Sequence, residues 1–197
     1  IAMRRIVLAS TSPYRRELME RLGLPFEAAA PRVEESPIAG EHPAALVRRL
    51  AESKARAVAA VFPNALIVGS DQVAVLDGER LGKPGTHEAA VKQLTRASGR
   101  PVEFLTGLCL LDSATGKASV DLVPSRVVFR VLGTAQIERY LERERPYDAA
   151  GSFKSEGLGI ALFERIDGED PTALVGLPLI RLTTMLAEAG VDVLTLD

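Results

Sequence analysis

The strongest constraint on the fold lies at the start of the chain, where a short apolar run leads directly into a helix start. The run Ile-Val-Leu-Ala at 6–9 predicts a buried strand. Ser12 is a favoured N-cap residue and Pro13 suits the first helical position, so a helix is predicted from there to Leu22, with Gly23 ending it. A strand that passes straight into a helix favours an α/β fold.

The first turn of this predicted helix carries two arginines, Arg15 and Arg16. Positive charge is unfavourable there because the N-terminal end of the helix dipole favours anions. The conflict disappears if a phosphate binds among the free N–H groups and the hydroxyls of Ser10 and Ser12, with an arginine beside it. The alternative is that both arginines point into solvent, and this stretch alone does not decide between the two.

Composition limits the classes of function. The 197 residues suit one domain, or two small lobes that share a cleft. The net charge of −2 argues against nucleic-acid binding, and the absence of a membrane-length apolar run argues against a membrane protein. The single Cys109 excludes an intrachain disulfide, which fits a reducing, cytoplasmic location. We expect a single domain over 3–197, with Ile1 and Ala2 as an expression remnant.

The rest of the chain alternates between helical and extended patterns before an antiparallel segment interrupts it. Strands are predicted at about 66–76, 102–111, 120–131 and 160–166, and helices at about 43–61, 87–97, 134–145 and 178–189. Asp77-Gly78 predicts a hairpin turn after the first of these strands. We therefore expect an α/β fold with an antiparallel insertion in its middle.

Lys54 departs from the pattern of its predicted helix. It lies four residues from both Leu50 and Val58, on an otherwise apolar stripe. Because an unpaired charge is costly to bury, the ammonium group either has an anionic partner or extends along the stripe to reach water. For a lone lysine the second outcome is the more common one.

Asp71 interrupts the apolar run at 66–76. By strand alternation it lies on the same face as Ile67 and Val73. A carboxylate in that position is tied to a cation or a hydrogen-bond network, or it serves as a base. Gly69 leaves space for another group to approach the backbone. We favour a functional carboxylate here over one that only orients a neighbouring loop.

Two glycine-containing loops carry further charged side chains. The sequence Gly-Lys-Pro at 82–84 is not a Walker loop, because it is one residue short and proline stands where a magnesium-binding hydroxyl is needed. Taken alone, Lys83 is an ordinary loop lysine. The segment 150–159 combines three glycines with Lys154 and Glu156, a composition that suits either a ligand-gripping loop or a plain connection.

Together these segments resemble the Maf family of nucleoside triphosphate pyrophosphatases. The matching segments follow the family order and cover nearly all of the chain from Arg5: LASTSPYRR at 8–16, EE at 34–35, ESKA at 52–55, GSDQV at 69–73, GKP at 82–84, AGSFKSEG at 150–157 and LVGLPL at 174–179. Ordered agreement over so many segments is more specific than any one of them. The resemblance implies a two-lobed α/β fold around a curved mixed β-sheet with a central cleft.

The resemblance also implies a cytoplasmic enzyme that cuts a nucleoside triphosphate between its α- and β-phosphates and releases pyrophosphate. A divalent cation, Mg²⁺ or Mn²⁺, and in many members a homodimer belong to this expectation. The acid that matches Asp71 is the family's proposed catalytic base. We expect Asp71 and Glu35 to hold the metal, and the sequence does not decide whether Asp71 is base, ligand or both. The residues expected to bind phosphate are Ser10, Ser12, Arg15, Lys54, Lys83 and Lys154.

Substrate choice in the family is linked to the positions that match Tyr14, Gln72 and Glu156. The branch that acts on pyrimidine triphosphates has Arg, Thr and Gln there, whereas GSFKSEG at 151–157 is characteristic of the branch that acts on 7-methyl-GTP. Tyr14 replaces a tryptophan that this branch can carry, but it keeps an aromatic ring. We therefore expect a 7-methyl-GTP pyrophosphatase. The alternatives are a dTTP/UTP pyrophosphatase of the same family and a non-catalytic nucleotide-binding regulator of cell division.

Overall fold

The computed structural model describes residues 3–196, so the expectation for Ile1 and Ala2 lies outside it. Its strands are β1 Arg5–Ala9, β2 Glu27–Ala29, β3 Ala65–Leu76, β4 Glu79–Leu81, β5 Pro101–Asp112, β6 Ala118–Phe129 and β7 Phe163–Gly168. Its helices are α1 Pro13–Glu20, α2 Pro43–Val58, α3 His87–Ala97, α4 Thr134–Glu144 and α5 Leu179–Glu188. In this part of the chain, no helix has the length and apolar character needed to cross a membrane.

The strands form a mixed sheet in the order β2-β1-β3-β5-β6-β7, and β4 pairs with β3. Strand β1 runs parallel to both β2 and β3, with Val7 opposite Glu27 and Ile67. Such parallel pairs require crossover connections, which α1 and α2 supply. The β3–β4 and β6–β7 pairs are antiparallel. The predicted α/β class with an antiparallel insertion is therefore confirmed.

Most elements begin and end within a few residues of their predicted bounds. Helix α3 has the predicted bounds, and its N-cap is Thr86, as expected. The clearest error concerns the strand predicted at 160–166, which begins only at Phe163. The preceding residues Leu158–Leu162 form a 3₁₀ segment instead. The glycines around that segment favour a turn over a strand.

The chain divides into two compact units. Unit 1 comprises Ile1–Gln72, Thr106–Val123 and Asp170–Asp197, and unit 2 comprises Val73–Leu105 and Pro124–Glu169. Strands β3, β5 and β6 contribute residues to both units. The predicted cleft between lobes stays a prediction.

Unit 1 buries apolar side chains on both faces of its strands. On one face, Leu8 and Leu66 pack with Met19 of α1 and with residues of α5. On the other face, Val7 and Ile67 pack with residues of α2. The strands are therefore covered on both sides, which explains why they read as continuous apolar runs.

Unit 2 has a core of phenylalanine rings. Phe153 makes edge-to-face contacts with Phe104, Phe129 and Phe163, at ring-centroid distances of 5.2, 5.3 and 5.0 Å. Because Phe153 belongs to the glycine-containing segment at 150–159, this cluster fixes the middle of that loop to the core.

Candidate active site

The central feature of unit 1 is an ion cluster around Lys54. Its Nζ lies 2.8 Å from Oδ1 of Asp71 and 2.7 Å from Oε1 of Glu35. Lys54 is 8% exposed, whereas the Glu35 side chain is 59% exposed. Of the two outcomes open for Lys54, the structure therefore shows the anionic partner. We call Glu35, Lys54 and Asp71 the ion cluster.

Close packing of α2 on the strands places Lys54 beside Asp71. A Cβ at Gly69 would lie 2.1 Å from the carbonyl oxygen of Ala51, and a Cβ at Gly107 would lie 2.2 Å from that of Val47. Both positions therefore require glycine. The space expected beside Gly69 is filled by the backbone of α2, not left open to a ligand.

Arg15 is held by the segment before α5. Its Nε donates to the carbonyl oxygen of Gly176 at 2.8 Å. The hydroxyl oxygen of Ser70 lies 2.8 Å from the same carbonyl oxygen, so one backbone group fixes both side chains. Gly176 has φ = +122°, a conformation that favours glycine.

Burial lowers the pKa of the Arg15 guanidinium below its usual value, and the charges of Asp71 and Glu35 oppose that shift. Within residues 3–196, only Nε of this side chain donates to a protein acceptor. Its two terminal nitrogens are therefore available to an anion.

The loop before α1 has the predicted cap. Ser12 is the N-cap, and its hydroxyl accepts a hydrogen bond from the N–H of Arg15 at 3.3 Å. The Ser10 hydroxyl accepts from the N–H of Ser12 at 3.0 Å. Both hydroxyls act here as acceptors, so their hydrogens remain able to donate to a phosphate. Tyr14, in the first turn of α1, is 36% exposed.

Gln72 is bound mainly by protein groups. Its Nε2 lies 2.9 Å and 3.1 Å from the carbonyl oxygens of Ala173 and Leu174, and 3.0 Å from the hydroxyl of Thr106. The amide nitrogen is therefore engaged, and the amide oxygen is the part of the side chain that remains for a substrate.

The other predicted site residues lie in unit 2. Lys83 is exposed in the loop after β4. The ammonium of Lys154 lies 3.4 Å from Oδ1 of Asp148, and Glu156 is exposed. The structure thus groups one set in unit 1 (Ser10, Ser12, Tyr14, Arg15, Glu35, Lys54, Asp71 and Gln72) and another in unit 2 (Lys83, Lys154 and Glu156).

Several residues that shape the site were missed by sequence reasoning. Ser70 and Thr106 are buried polar residues in apolar strands. A polar residue inside an apolar run can be recognised in the sequence, so both could have been identified as candidates. Gly107 and Gly176 carried no comparable signal, because their importance depends on which backbone or side chain approaches them in the folded chain.

The donor atoms of Asp71 and Glu35 fit a divalent cation in part. Mg²⁺ in proteins is usually bound by one or two carboxylates, with water and substrate phosphates completing the shell. Two carboxylates meet at Lys54, and no group of three or more His, Cys, Asp or Glu suited to a metal occurs in the described part of the chain. This set suits a metal that arrives with a phosphate substrate better than a permanently enclosed ion.

Known proteins match this chain over nearly its whole length. A family model described as "Maf-like protein" matches residues 5–189. A 7-methyl-GTP pyrophosphatase of Nitrosococcus oceani is 59% identical over 189 residues, covering 96% of this chain and 95% of that protein. A 7-methyl-GTP pyrophosphatase of Pseudomonas aeruginosa is 59% identical over 188 residues, covering 95% and 98%.

Among solved structures, the Staphylococcus aureus Ham1 protein matches with a TM-score of 0.53 and 14% identity. The match covers 94% of this chain and 99% of that chain. At such low identity the likeness shows a common fold and nothing about activity.

Proposed function

The chain belongs to the Maf family, and from this premise we propose that it hydrolyses 7-methyl-GTP to 7-methyl-GMP and pyrophosphate. The observation that carries the proposal is the ion cluster, which puts a carboxylate and an ammonium group side by side. It occurs in a chain whose relatives are named 7-methyl-GTP pyrophosphatases. A protein that only binds nucleotides has no need of a carboxylate beside the phosphates.

Asp71 is the proposed base. Lys54 holds its Oδ1, and in residues 3–196 its Oδ2 makes no hydrogen bond to protein. That oxygen can accept the proton of a water molecule that attacks the α-phosphorus. As the new bond between the water oxygen and the α-phosphorus forms, the bond between the α-phosphorus and the oxygen that bridges it to the β-phosphate breaks. Pyrophosphate leaves with that oxygen.

The phosphates are proposed to bind to hydroxyls and cations of the chain. Ser10, Ser12 and Arg15 present donors at the start of α1, where the helix dipole also favours an anion. Lys54, Lys83 and Lys154 supply compact positive charges that stabilise the departing pyrophosphate.

Asp71 and Glu35 are the residues that would hold a divalent cation, Mg²⁺ or Mn²⁺. When bound, such an ion neutralises charge on the phosphate oxygens. The exposed Glu35 can leave Lys54 without disturbing the buried contact between Lys54 and Asp71, because its side chain lies at the surface.

Recognition of the base is proposed to rest on Tyr14 and Glu156, with the amide oxygen of Gln72 as a further acceptor. The 7-methylguanine ring is positively charged, so an aromatic face and a carboxylate both favour it over guanine. Tyr14 is exposed enough to stack on a base, and the carboxylate of Glu156 can accept from the N–H edge.

The cellular setting is proposed as cytoplasmic, and the assembly as a homodimer. The free thiol of Cys109 is consistent with a reducing compartment such as the cytoplasm. This thiol is buried, and burial raises its pKa to about 12. Light scattering on purified protein tests the dimer, and a mass equal to one chain would overturn it.

The deciding experiment is a pyrophosphate-release assay with 7-methyl-GTP, GTP, UTP and dTTP, each with and without Mg²⁺. The highest kcat/KM is expected for 7-methyl-GTP. A preference for UTP or dTTP would identify the pyrimidine branch instead. Nucleotide binding without pyrophosphate release would favour the non-catalytic regulator.

A further inference from the structure

We propose that Gln93 is a positioning residue that ties the loop carrying Lys83 to the loop carrying Glu156. The inference rests on the proposed function, because it gives those two loops their roles in binding phosphate and base. All the residues concerned belong to unit 2. Gln93 lies on α3, outside every segment that carries the family resemblance.

The side-chain amide of Gln93 bonds both loops at once. Its Nε2 donates to the carbonyl oxygen of Gly82, directly before Lys83, at 3.1 Å. Its Oε1 accepts from the hydroxyl of Ser152 at 2.5 Å. The N–H of Gly151 also points to the Gly82 carbonyl, at 3.4 Å. The Gln93 amide therefore links the two loops beside this direct backbone contact, and it is the one side chain that bonds both of them within the described residues.

Ser152 has a conformation that needs such support. It is fully buried and has φ = +66°, a region unfavourable for a residue with a Cβ. Unfavourable backbone angles of this kind persist only where the surroundings fix them, and they cluster at functional sites. Here the hydroxyl is fixed by Gln93, and the N–H of Ser152 donates to the carbonyl of Ala149 at 3.1 Å.

The rest of the loop is fastened on both sides of Glu156. Before it, Phe153 packs in the phenylalanine cluster, and the N–H of Lys154 donates to the Tyr140 hydroxyl at 3.1 Å. After it, the N–H of Leu158 donates to the Glu144 carboxylate at 3.3 Å. Glu156 is thus exposed on a short span between these attachments, and the contact of Ser152 with Gln93 is a further attachment just before Phe153.

The chemistry of glutamine allows the two bonds to be tested separately. Gln93→Glu keeps an acceptor for Ser152 but places a carboxylate against the Gly82 carbonyl. Ser152→Ala removes the other bond and leaves the contact with Gly82. Gln93→Met keeps the length of the side chain and makes neither bond.

The experiment measures kcat and KM of these variants for 7-methyl-GTP and UTP, together with backbone amide hydrogen exchange. Gln93→Met is expected to raise KM with a smaller effect on kcat, lowering kcat/KM about tenfold, the scale of one or two lost neutral hydrogen bonds. Gln93→Glu should lower kcat/KM equally for both nucleotides, because it disturbs the phosphate loop. Ser152→Ala should lower mainly the preference for 7-methyl-GTP.

Gln136→Met is the matched control, since Oε1 of Gln136 accepts from the N–H of Gly133 at 2.8 Å at the start of α4. It removes an amide hydrogen bond in the same unit without touching either loop. It should lower thermal stability without changing KM. Kinetic losses in Gln93→Met that match those of the control would assign Gln93 a structural role only and overturn the proposal.

Hydrogen exchange separates this inference from the proposed function. The amides of Gly151 and Ser152 should exchange faster in Gln93→Met than in the wild type. Unchanged exchange there overturns the role of Gln93 even if the enzyme is active. If the wild type releases pyrophosphate from no nucleotide, the proposed function fails, and faster exchange still shows that Gln93 holds the loops together.

Discussion

The ion cluster of unit 1 and the glycine-containing segment 150–159 of unit 2 hold their charged side chains by different means. Lys54 and Asp71 lie on a helix and a strand that interlock at Gly69, where no larger residue fits. Glu156 is exposed on a loop that is held by the phenylalanine cluster and by side-chain hydrogen bonds to the backbone of Lys154 and Leu158, with a further side-chain bond at Ser152. The groups proposed for chemistry thus lie on a helix and a strand that are fixed by backbone packing, and the group proposed for base choice lies on a loop that is held largely by side-chain contacts.

The largest expected effect comes from Asp71→Asn, which tests whether the ion cluster carries out the chemistry. The change keeps the size of the side chain but removes its charge and its ability to accept a proton. We expect kcat to fall by about 10²- to 10⁴-fold, the usual contribution of a general base. Circular dichroism should show an intact fold. Asp167→Asn, on the exposed strand β7, is the control, and near-normal turnover in Asp71→Asn would refute the assignment.

A second variant tests whether backbone packing holds the ion cluster. Gly69→Ala puts a Cβ against the carbonyl oxygen of Ala51, so α2 must shift and take Lys54 with it. We expect a loss of about 1–3 kcal/mol in the free energy of unfolding, as for other overpacked cores, together with a lower kcat.

Urea unfolding and steady-state kinetics measure these effects. Gly82→Ala is the matched stability control, since nothing lies within 4 Å of a Cβ at Gly82. Equal stability of the two variants would show that α2 adapts without cost.

Glu156→Gln tests the specificity half of the comparison. Losing the carboxylate should reduce the ratio of kcat/KM for 7-methyl-GTP over UTP about tenfold, as for one lost hydrogen bond to a charged group. Thermal stability should not change, because Glu156 is exposed. Glu142→Gln on the surface of α4 serves as control. An unchanged ratio would remove Glu156 from base recognition.

The two regions also differ in how far the sequence predicts them. Lys54 and Asp71 could be singled out because a charge on an apolar stripe or strand conflicts with local patterning. The bounds of α3 followed from ordinary capping and periodicity, since Thr86 is a standard N-cap. Local signals therefore predicted the main elements and singled out the two residues that form the buried contact of the ion cluster.

What the sequence did not predict depends on contacts between distant segments. In the sequence Gln93 is an ordinary polar residue of a helix, and its role becomes visible only in the folded chain, where it contacts Gly82 and Ser152. Gly107 likewise matters only because α2 approaches it. The short strand β2 was missed because its three residues give no periodic pattern.

The smallest effect is expected from an ion pair of unit 1 that lies outside the ion cluster. Arg4 donates to both carboxylate oxygens of Asp112, at 2.7 and 2.8 Å, with the two side chains 30% and 25% exposed. The hydrogen bonds from Arg4 are the main reason why the pKa of Asp112 falls to about 2. Asp112→Asn should cost about 1 kcal/mol at neutral pH, as for exposed pairs.

The pH dependence of that cost follows from the lowered pKa. The stabilisation is complete above the unfolded pKa of about 4, and it is lost as the pH falls through the folded value of about 2. Urea unfolding of wild type and Asp112→Asn between pH 7 and pH 2 should therefore show the two stabilities converging only below about pH 4. Asp167→Asn, in the exposed pair with Arg165 on β7, is the control that shows the general effect of an Asp-to-Asn change at the surface. A difference in the free energy of unfolding between wild type and Asp112→Asn that stays constant down to pH 2 would show that the pair contributes through packing and not through charge. Burial, and not charge, would then distinguish the strong contacts of unit 1, such as Lys54 with Asp71, from its weak ones.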